Sequence, residues 1–329
     1  MDGLKRAGLI EALEAHGYGR LPRLKRLGIA RSTFYHWRKR YDEYGIRGVE
    51  RGKPQARLIW NRLRQEESDT IIRTALEYPE LSPRLVAVKV TDEKGFCVSE
   101  STVYRLLKAR GLVRPRPKEE YPAAKKWSHN TTAPDQIWQS DATWFFVVGY
   151  GYYKAIPVMD DYSRKLLAVP VKADETSDSI SDAVEKAREK AMSLGHRLEK
   201  PPLLLSDNGS GFVGDKLAKY LQVHGMRHIF GKPYHPQTQG KVERLNRKLK
   251  EKVCLIVHCS PEELQRALDK VMAEYNATPH EALKNVSPDD VYAGKQEEIL
   301  RRRAELKLLT LKQRKQYNLN RPDKLQTSR

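Results

Sequence analysis

The first third of the chain carries apolar residues at helical spacing, and this pattern predicts short helices. Residues 4–45 divide into three of them, with Gly28 at the turn between the second and the third. Ile29, Phe34 and Trp37 fall on the side that would face a core. This spacing is typical of a helix-turn-helix, and an ordinary helical hairpin with a basic, solvated face is the alternative. The outward residues of this first module, suited to the major groove of DNA, are Arg31, Ser32, Thr33, His36, Arg38 and Lys39.

A second module with the same pattern lies between residues 58 and 114. Ser99 is predicted to cap its last helix, because a serine oxygen can accept a hydrogen bond from a free backbone N–H. Val98, Val103 and Leu106 are predicted to be buried. The pieces STFYHWRKR and STVYRLLKA are alike enough to indicate two helix-turn-helix modules in tandem, unless the similarity is chance. The outward residues of the second module are Ser101, Thr102, Arg105 and Lys108.

The periodicity changes after residues 115–134, a proline-rich and charged stretch that we interpret as an extended linker. Three strand-like runs follow, and then helices and strands alternate. The last helix of this series is predicted from Thr238 to about Val257. Such an order is typical of an α/β domain with a mixed sheet flanked by helices. The predicted fold is therefore multidomain, with all-α helix-turn-helix modules before an α/β domain.

These changes of pattern divide the chain into six segments. Two helix-turn-helix domains come first, each followed by a linker, and the α/β domain precedes a helical, strongly basic end. The linkers are recognised by their Gly, Pro and basic residues and by their lack of periodicity. The predicted boundaries are 1–46, 47–57, 58–114, 115–134, 135–259 and 260–329.

The charge of the chain indicates the kind of partner. Its 329 residues include 61 Lys and Arg against 42 Asp and Glu, a formal net charge of +19. Such a balance favours nucleic acid or an anionic membrane surface as the partner. No apolar run reaches the roughly 18 residues that a membrane-spanning helix needs. The charge by itself makes nucleic acid the better candidate, although a ribosomal or merely soluble protein can also be basic.

The three cysteines, Cys97, Cys254 and Cys259, form no disulfide framework, and this fits a reducing interior. Cys254 and Cys259 lie close to His258, but no second Cys/His pair has the spacing that a zinc site needs. We therefore interpret these three neighbours as helix residues.

Three acidic residues stand out by their local settings. Asp141 and Asp207 follow apolar, strand-like runs, and Glu243 opens a charged helical segment. A carboxylate at the end of a buried strand is costly unless it is paired, hydrogen-bonded or bound to a metal. If the three converge, they form an oxygen-ligand site suited to Mg²⁺ or Mn²⁺. Two such ions about 3.5–4 Å apart can activate a nucleophile and stabilise a leaving oxygen in phosphodiester chemistry.

Each of these acids also has a plain structural explanation. Asp207 can end a strand in an Asx-turn, and Glu243 can be an ordinary solvent-facing glutamate on a helix. Asp160 and Asp161 are rival acids that the residues by themselves do not exclude. Candidate contacts to DNA phosphates near Glu243 are Arg244, Arg247 and Lys250, and His235 and Asn208 are further candidates beside the acids.

Five segments carry a family resemblance. In order, they are SDATWFF, VMDDYSRKLLAV, LLSDNGSGF, PYHPQTQGKVERLNRKLKE and YNATPHEALKNVSPDDVY, and they run from about Trp138 to Tyr292. They resemble the catalytic core of insertion-sequence transposases and retroviral-type integrases, the DDE superfamily with an RNase H-like fold. The resemblance implies that Asp141, Asp207 and Glu243 are the catalytic and metal-binding acids. It also implies that Asp160 and Asp161 are structural.

The resemblance further implies a DNA transposase or integrase, a polynucleotidyl transferase that uses Mg²⁺ or Mn²⁺, with two ions per site. Such an enzyme binds the ends of its element, cuts a strand and joins the freed 3′-OH to target DNA. The implied partners are double-stranded DNA, as terminal repeats and as target, and further copies of the chain assembled on it, with no membrane. The implied location is a bacterial cytoplasm, at the nucleoid.

Two other functions stay open. One is a catalytically silent DNA-binding regulator derived from a transposase, and the other is a structure-specific nuclease of the same fold. The zinc-binding His/Cys module found at the N-terminus of retroviral integrases has no counterpart in this sequence, so the chain more closely resembles the bacterial insertion-sequence branch.

The basic segment EILRRRAELKLLTLKQRKQ, near the C-terminus, also has an apolar component. We expect it to contact either another copy of the chain or the partner DNA end, and the alternative is a frayed, solvated tail. Its apolar residues include Ile299, Leu300, Leu306, Leu308 and Leu309.

Overall fold

The computed structural model describes residues 3–15, 24–50, 59–113, 131–231 and 240–320. The chain divides into two compact units, one of residues 1–62 with 314–329 and the other of residues 63–313. Most of the two predicted linkers lies outside the described residues, at positions 51–57 and 115–130. His235 and Thr238 lie outside them as well.

The first compact unit is a small helical domain. Ile10 and Phe34 are fully buried in it, and Ile29 and Trp37 pack against this core as predicted. Gly28 has φ 65° in the turn, a left-handed conformation that glycine adopts without steric cost. The helices of this unit include α1 (Gly3–Ala15), α2 (Arg31–Tyr44) and α3 (Ile46–Val49).

The second module has a core of its own within the second compact unit. Val98 and Val103 are buried there, and Leu106 packs against them, as predicted. The Ser99 hydroxyl accepts a hydrogen bond from the Thr102 N–H at 3.3 Å, so the predicted cap is confirmed. The helices of this module are α4 (Gln65–Glu77), α5 (Pro83–Glu93) and α6 (Glu100–Ala109).

The α/β domain is built on a mixed sheet of five strands. In order across the sheet, the strands are β5 (Leu166–Ala168), β4 (Val158–Asp160), β1 (Ile137–Ser140), β7 (Leu203–Ser206) and β8 (His228–Phe230). Strand β4 pairs antiparallel with both β5 and β1, whereas β1, β7 and β8 run parallel. A second, antiparallel sheet consists of β2 (Thr143–Val147), β3 (Gly151–Ala155) and β6 (Val171–Lys172).

The prediction of three strands at the start of this domain was wrong, because the chain forms six short strands in the same stretch. Pro157 separates β3 from β4, and Pro170 separates β5 from β6. Proline interrupts a ladder because it has no N–H to donate. The third break falls at Asp141 and Ala142, where the chain leaves one sheet for the other.

Helices cover both faces of the five-stranded sheet. Val158 and Met159 are neighbours on β4 and therefore point to opposite faces. Val158 lies in a buried cluster with residues of α7 (Ser177–Ser193) and α8 (Asp215–Val223). Met159 lies in another, with residues of α9 (Gly240–Val253) and α10 (Pro261–Ala277). The predicted fold class, helical modules followed by a mixed sheet flanked by helices, is therefore confirmed.

Helix α9 ends at Val253, four residues before its predicted end at Val257. The buried His258 explains this, since its Nε2 atom donates to the Val253 carbonyl oxygen at 3.0 Å. A histidine placed in this way satisfies a carbonyl that the helix leaves free. The interpretation of Cys254, His258 and Cys259 as helix residues was wrong, since all three follow the end of α9.

The basic C-terminal segment is helical rather than frayed. It forms α12 (Gln296–Leu319), which follows the short helix α11 (Pro288–Tyr292). Ile299 and Leu300 pack against a small buried cluster, while Leu308 stays 70% exposed. Neither α12 nor any other described helix is long and apolar enough to cross a membrane.

The second module is fastened to the α/β region within the second compact unit. Arg84 donates through Nη1 to the Pro279 carbonyl oxygen at 3.2 Å and to Asn285 Oδ1 at 2.5 Å. Arg303, on α12, donates to both carboxylate oxygens of Asp92 at 2.8 and 2.5 Å. Residues 63–313 therefore form one compact unit, and the finer boundaries predicted inside it stay predictions.

Candidate active site

The first two predicted acids lie beside each other at one edge of the central sheet. Strands β1 and β7 are parallel neighbours, and their register pairs Gln139 with Leu205. Asp141 and Asp207 each follow two residues later, just past the carboxyl ends of these strands. In open α/β sheets this edge is where ligands bind. The topology therefore brings together two carboxylates that are far apart in sequence.

Asp207 is held by the turn that the sequence predicted. Its Oδ1 atom accepts a hydrogen bond from the Gly209 N–H at 2.9 Å, which is the geometry of an Asx-turn. Asn208, a further candidate, is exposed, and its Nδ2 atom donates to the Gly231 carbonyl oxygen at 3.3 Å. The turn and a ligand role for Asp207 are compatible, because the second carboxylate oxygen takes no part in this bond.

Glu243 lies in the first turn of α9 and is exposed. One turn later, the buried Asn246 donates through Nδ2 to Asp141 Oδ2 at 2.9 Å and to the Asp141 carbonyl oxygen at 3.4 Å. Asn246 Oδ1 has no hydrogen-bond partner among the described residues. This asparagine fixes α9 against the end of β1, and the sequence analysis missed it.

The negative charges of the other two acids act on Asp141. Burial and the negative charges of Asp207 and Glu243 raise the pKa of Asp141 to about 6. The hydrogen bond from Asn246 and the positive charge of Lys250 act in the opposite direction. A site of this kind, rich in oxygen donors and negative potential, suits a hard divalent cation.

The carboxylates do not already form a closed set of metal ligands. In the parts of the chain that the structure describes, no group of three or more His, Cys, Asp and Glu side chains is arranged so that it could hold a metal ion. Asp141, Asp207 and Glu243 nevertheless suit a divalent cation in the chemistry of their oxygen donors and in the negative charges of Asp207 and Glu243 that act on Asp141. Their role as ligands stays a prediction.

The rival acids are held by structural contacts. Asp160 is fully buried and accepts hydrogen bonds from the Asp135 N–H at 2.8 Å and the Ser163 hydroxyl at 2.6 Å. Asp161 is also buried and accepts from Gln139 Nε2 and from Lys241 Nζ, both at 2.6 Å. These contacts give both carboxylates a role in the architecture of the sheet.

The predicted phosphate contacts on α9 lie on two neighbouring faces of the helix. Arg247 and Lys250 are exposed and follow Glu243 by one and two turns. Arg244 is also exposed but lies near another group of cations. Burial lowers the pKa of His280 to about 4, and positive charges act in the same direction, namely those of Lys248, Arg164, Arg84 and Arg244. The structure thus places a group of cations around His280 that was not predicted from the sequence.

Most of the residues of the first module that are predicted to contact DNA have exposed side chains. Arg38 is the exception, since it is half-buried and its Nε atom pairs with Glu14 at 2.7 Å. The exposed residues are Arg31, Ser32, Thr33, His36 and Lys39.

In the second module, Ser101, Arg105 and Lys108 are exposed. Thr102 is half-buried and its hydroxyl lies 2.8 Å from that of Ser99, so it contributes to the helix cap. The DNA contacts predicted for both modules stay predictions.

Comparisons with known proteins agree with this architecture. Residues 131–236 match a family described as an integrase core domain, and residues 224–288 match a second family of that description. Residues 33–107 match a homeodomain-like domain.

Among curated proteins, the chain is similar to retroviral polyproteins. It is 29% identical to the Pro-Pol polyprotein of simian foamy virus type 1 over 167 residues, which are 48% of this chain and 14% of that protein. It is 32% identical to the Gag-Pro-Pol polyprotein of squirrel monkey retrovirus over 117 residues, 36% of this chain and 6% of that one. The chain thus spans 14% or less of the length of these two relatives.

Similar solved structures include an integrase catalytic core domain and an intasome. The HTLV-2 integrase catalytic core domain in complex with magnesium is 20% identical, with a TM-score of 0.39 over 50% of this chain and 99% of that one. A simian T-cell lymphotropic virus intasome in complex with the PP2A regulatory subunit B56 gamma is 17% identical, with a TM-score of 0.42 over 67% and 73%. The two adjoining family matches and the viral relatives make residues 131–288 an integrase core domain of the DDE type, in the RNase H-like superfamily.

Proposed function

We propose that this protein is a DNA transposase or integrase that binds the ends of a DNA element, cuts a strand there and joins the freed 3′-OH to target DNA. One observation carries the proposal. Asp141 and Asp207 meet at the ends of two adjacent parallel strands, and Asn246 fixes the helix of Glu243 beside them. The membership of this region in the integrase core domains supports the reaction class, since such domains are typically polynucleotidyl transferases.

The chemistry needs no nucleophile from the protein. Mg²⁺ or Mn²⁺, when bound, would activate the attacking oxygen and stabilise the leaving one. Asp141 and Asp207 would hold the cations at the sheet edge, and Glu243 would complete the ligand set from α9. In the first step a water oxygen bonds to phosphorus and the 3′-oxygen leaves. In the second step that 3′-oxygen attacks a phosphate of target DNA.

The test uses the DNA that flanks the gene. Duplex oligonucleotides ending in its inverted repeats are incubated with the full chain and Mg²⁺, and the products are separated on a sequencing gel. We expect release of a 3′-OH end and joining of that end to a second duplex, both abolished by EDTA. Specific binding without any cleavage would favour the silent regulator, and cleavage without joining would favour the nuclease.

Exposed basic residues of the second module should contribute to DNA binding. Arg105 and Lys108 lie on α6, and removing one cation that binds a phosphate should reduce the dependence of log K on log salt by about one. We expect the double variant Arg105→Ala/Lys108→Ala to lose about two from this slope and to bind several-fold more weakly, as measured by fluorescence anisotropy. The control removes two exposed lysines of the α/β domain, Lys186 and Lys216. An equal reduction in both double variants would contradict the role of the module.

The active form should be a multimer on DNA. Joining two element ends requires two bound DNA segments, whereas each chain contributes one set of the three acids. We expect light scattering of the protein with paired end DNA to give at least two protomers per pair of ends. A complex with one protomer per pair that still performs strand transfer would refute this expectation.

A further inference from the structure

A buried lysine lies next to the candidate active site. Lys154 is on β3, opposite Trp144 of β2, and its side chain is only 11% exposed. Its Nζ atom forms an ion pair with Glu175 and lies 4.0 Å from the centre of the Trp144 ring. The ion pair and the aromatic ring together restrict where the ammonium group can lie.

The carboxylate that pairs with this lysine reaches the turn of Asp207. A side-chain carbon built on Gly209 would lie 2.8 Å from Glu175 Oε1 and 3.0 Å from Asp207 Oδ1. The two carboxylate oxygens therefore approach the same point. Glycine at this position leaves room for both, and any larger residue would press on them.

Lys154 also interacts electrostatically with the two aspartates. Burial lowers the pKa of Lys154, and the negative charges of Asp207 and Asp141 act in the opposite direction. The ammonium thus lies within electrostatic reach of both acids while its direct partner is Glu175. Two carboxylates at one sheet edge repel each other, and a nearby positive charge reduces that repulsion.

We propose that Lys154 is a built-in counter-ion of the Asp141–Asp207 pair, which keeps the metal-free carboxylates together and lowers the affinity for the first divalent cation. Glu175 is its positioning residue, because the ion pair holds the ammonium to one side of the acids. The inference rests on the proposed function, since it takes the aspartates to be metal ligands.

This arrangement predicts the direction in which two substitutions should change the affinity for the divalent cation. Removing the charge of Lys154 takes away a cation that repels the metal, so binding should become tighter. Removing the charge of Glu175 frees the ammonium to move toward the aspartates and deletes a negative charge, so binding should become weaker. A charge difference a few ångströms from a partly buried site changes affinity by about tenfold or more.

The test measures Mn²⁺ binding to the full chain by titration calorimetry, in the absence of DNA. We expect Lys154→Gln to bind about tenfold more tightly than the wild type and Glu175→Gln about tenfold more weakly. Lys154→Arg, which keeps the charge, should stay close to the wild type. The matched control is Lys172→Gln, because Lys172 is the strand neighbour of Lys154 and pairs with Asp182 at 2.7 Å in the same way.

A second measurement separates an effect on binding from a failure to fold. In EDTA, Lys154→Gln should unfold at a lower temperature than the wild type, because the aspartates lose their counter-ion. Added Mn²⁺ should remove this difference, because the bound metal then supplies the positive charge. Unchanged or weaker Mn²⁺ binding by folded Lys154→Gln would overturn the inference, and so would an equal gain in Lys172→Gln. If the wild type itself binds no Mn²⁺, or Asp207→Asn binds it equally well, the metal site of the proposed function is wrong instead.

Discussion

The Asp207→Asn variant should lose strand cleavage and strand transfer while it keeps the affinity of the wild type for DNA. The asparagine Oδ1 atom can still accept the hydrogen bond from the Gly209 N–H, so the turn survives. The substitution removes the charge that a divalent cation needs from this position. Metal ions contribute several kcal/mol to such transition states, which corresponds to roughly a thousandfold or more in rate. The sequencing-gel assay measures the rate, and anisotropy measures the DNA affinity.

The control for this variant is another aspartate of the same domain. Asp178 is 66% exposed and pairs with Lys216 at 2.6 Å on the outer surface. Asp178→Asn should therefore leave cleavage and joining unchanged. Full activity of Asp207→Asn in Mg²⁺ would show that Asp207 is not among the catalytic acids, whatever the other two do.

The parts of the fold that were predictable depend on local sequence. Ser99 was identified as a helix cap because its hydroxyl meets a backbone N–H only three residues away. Ile29, Phe34 and Trp37 were assigned to a core because helical periodicity places them on one face. Contacts between residues that are close in sequence can be predicted from the local pattern of residue types.

The number of strands was less predictable, although its causes are visible in the sequence. Pro157 and Pro170 interrupt two apolar runs that otherwise look continuous. What the sequence does not reveal is that the pieces on either side of each proline join different sheets. That choice depends on where the whole chain can pair its backbone groups, and this is a property of the tertiary fold.

Some residues of the candidate site were likewise predictable from local sequence, and others were not. Asp141 and Asp207 were recognisable as candidates because each follows an apolar run, and Glu243 because it opens a charged helical segment. The resemblance added the catalytic role predicted for all three. The supporting residues were not recognisable, because their contacts join parts of the chain that are distant in sequence. Asn246 meets Asp141 across 105 positions, and Lys154 on β3 pairs with Glu175, which lies beyond the end of β6. The one available signal for Asn246 was its position a single helical turn after Glu243, which puts it on nearly the same face.

Asn246→Ala should have the second largest effect on activity. The variant loses the 2.9 Å hydrogen bond that orients the Asp141 carboxylate and fastens α9 to the end of β1. Groups that orient a metal ligand typically contribute 10–100-fold to metal affinity or activity. We expect strand cleavage to fall by about that factor and Mn²⁺ to bind correspondingly more weakly, as measured by the gel assay and by calorimetry.

A second buried asparagine, Asn276, provides a matched control for this variant. Asn276 is 6% exposed, against 7% for Asn246, and it bonds the backbone N–H and carbonyl of Leu166, each at 2.8 Å. Both alanine variants should lower stability, by roughly 1–3 kcal/mol, because each leaves buried polar groups without partners. Asn276→Ala should keep the Mn²⁺ affinity of the wild type, whereas Asn246→Ala should not. If the two variants lose stability, activity and Mn²⁺ affinity to the same extent, Asn246 only holds the fold together and does not position Asp141 for the metal.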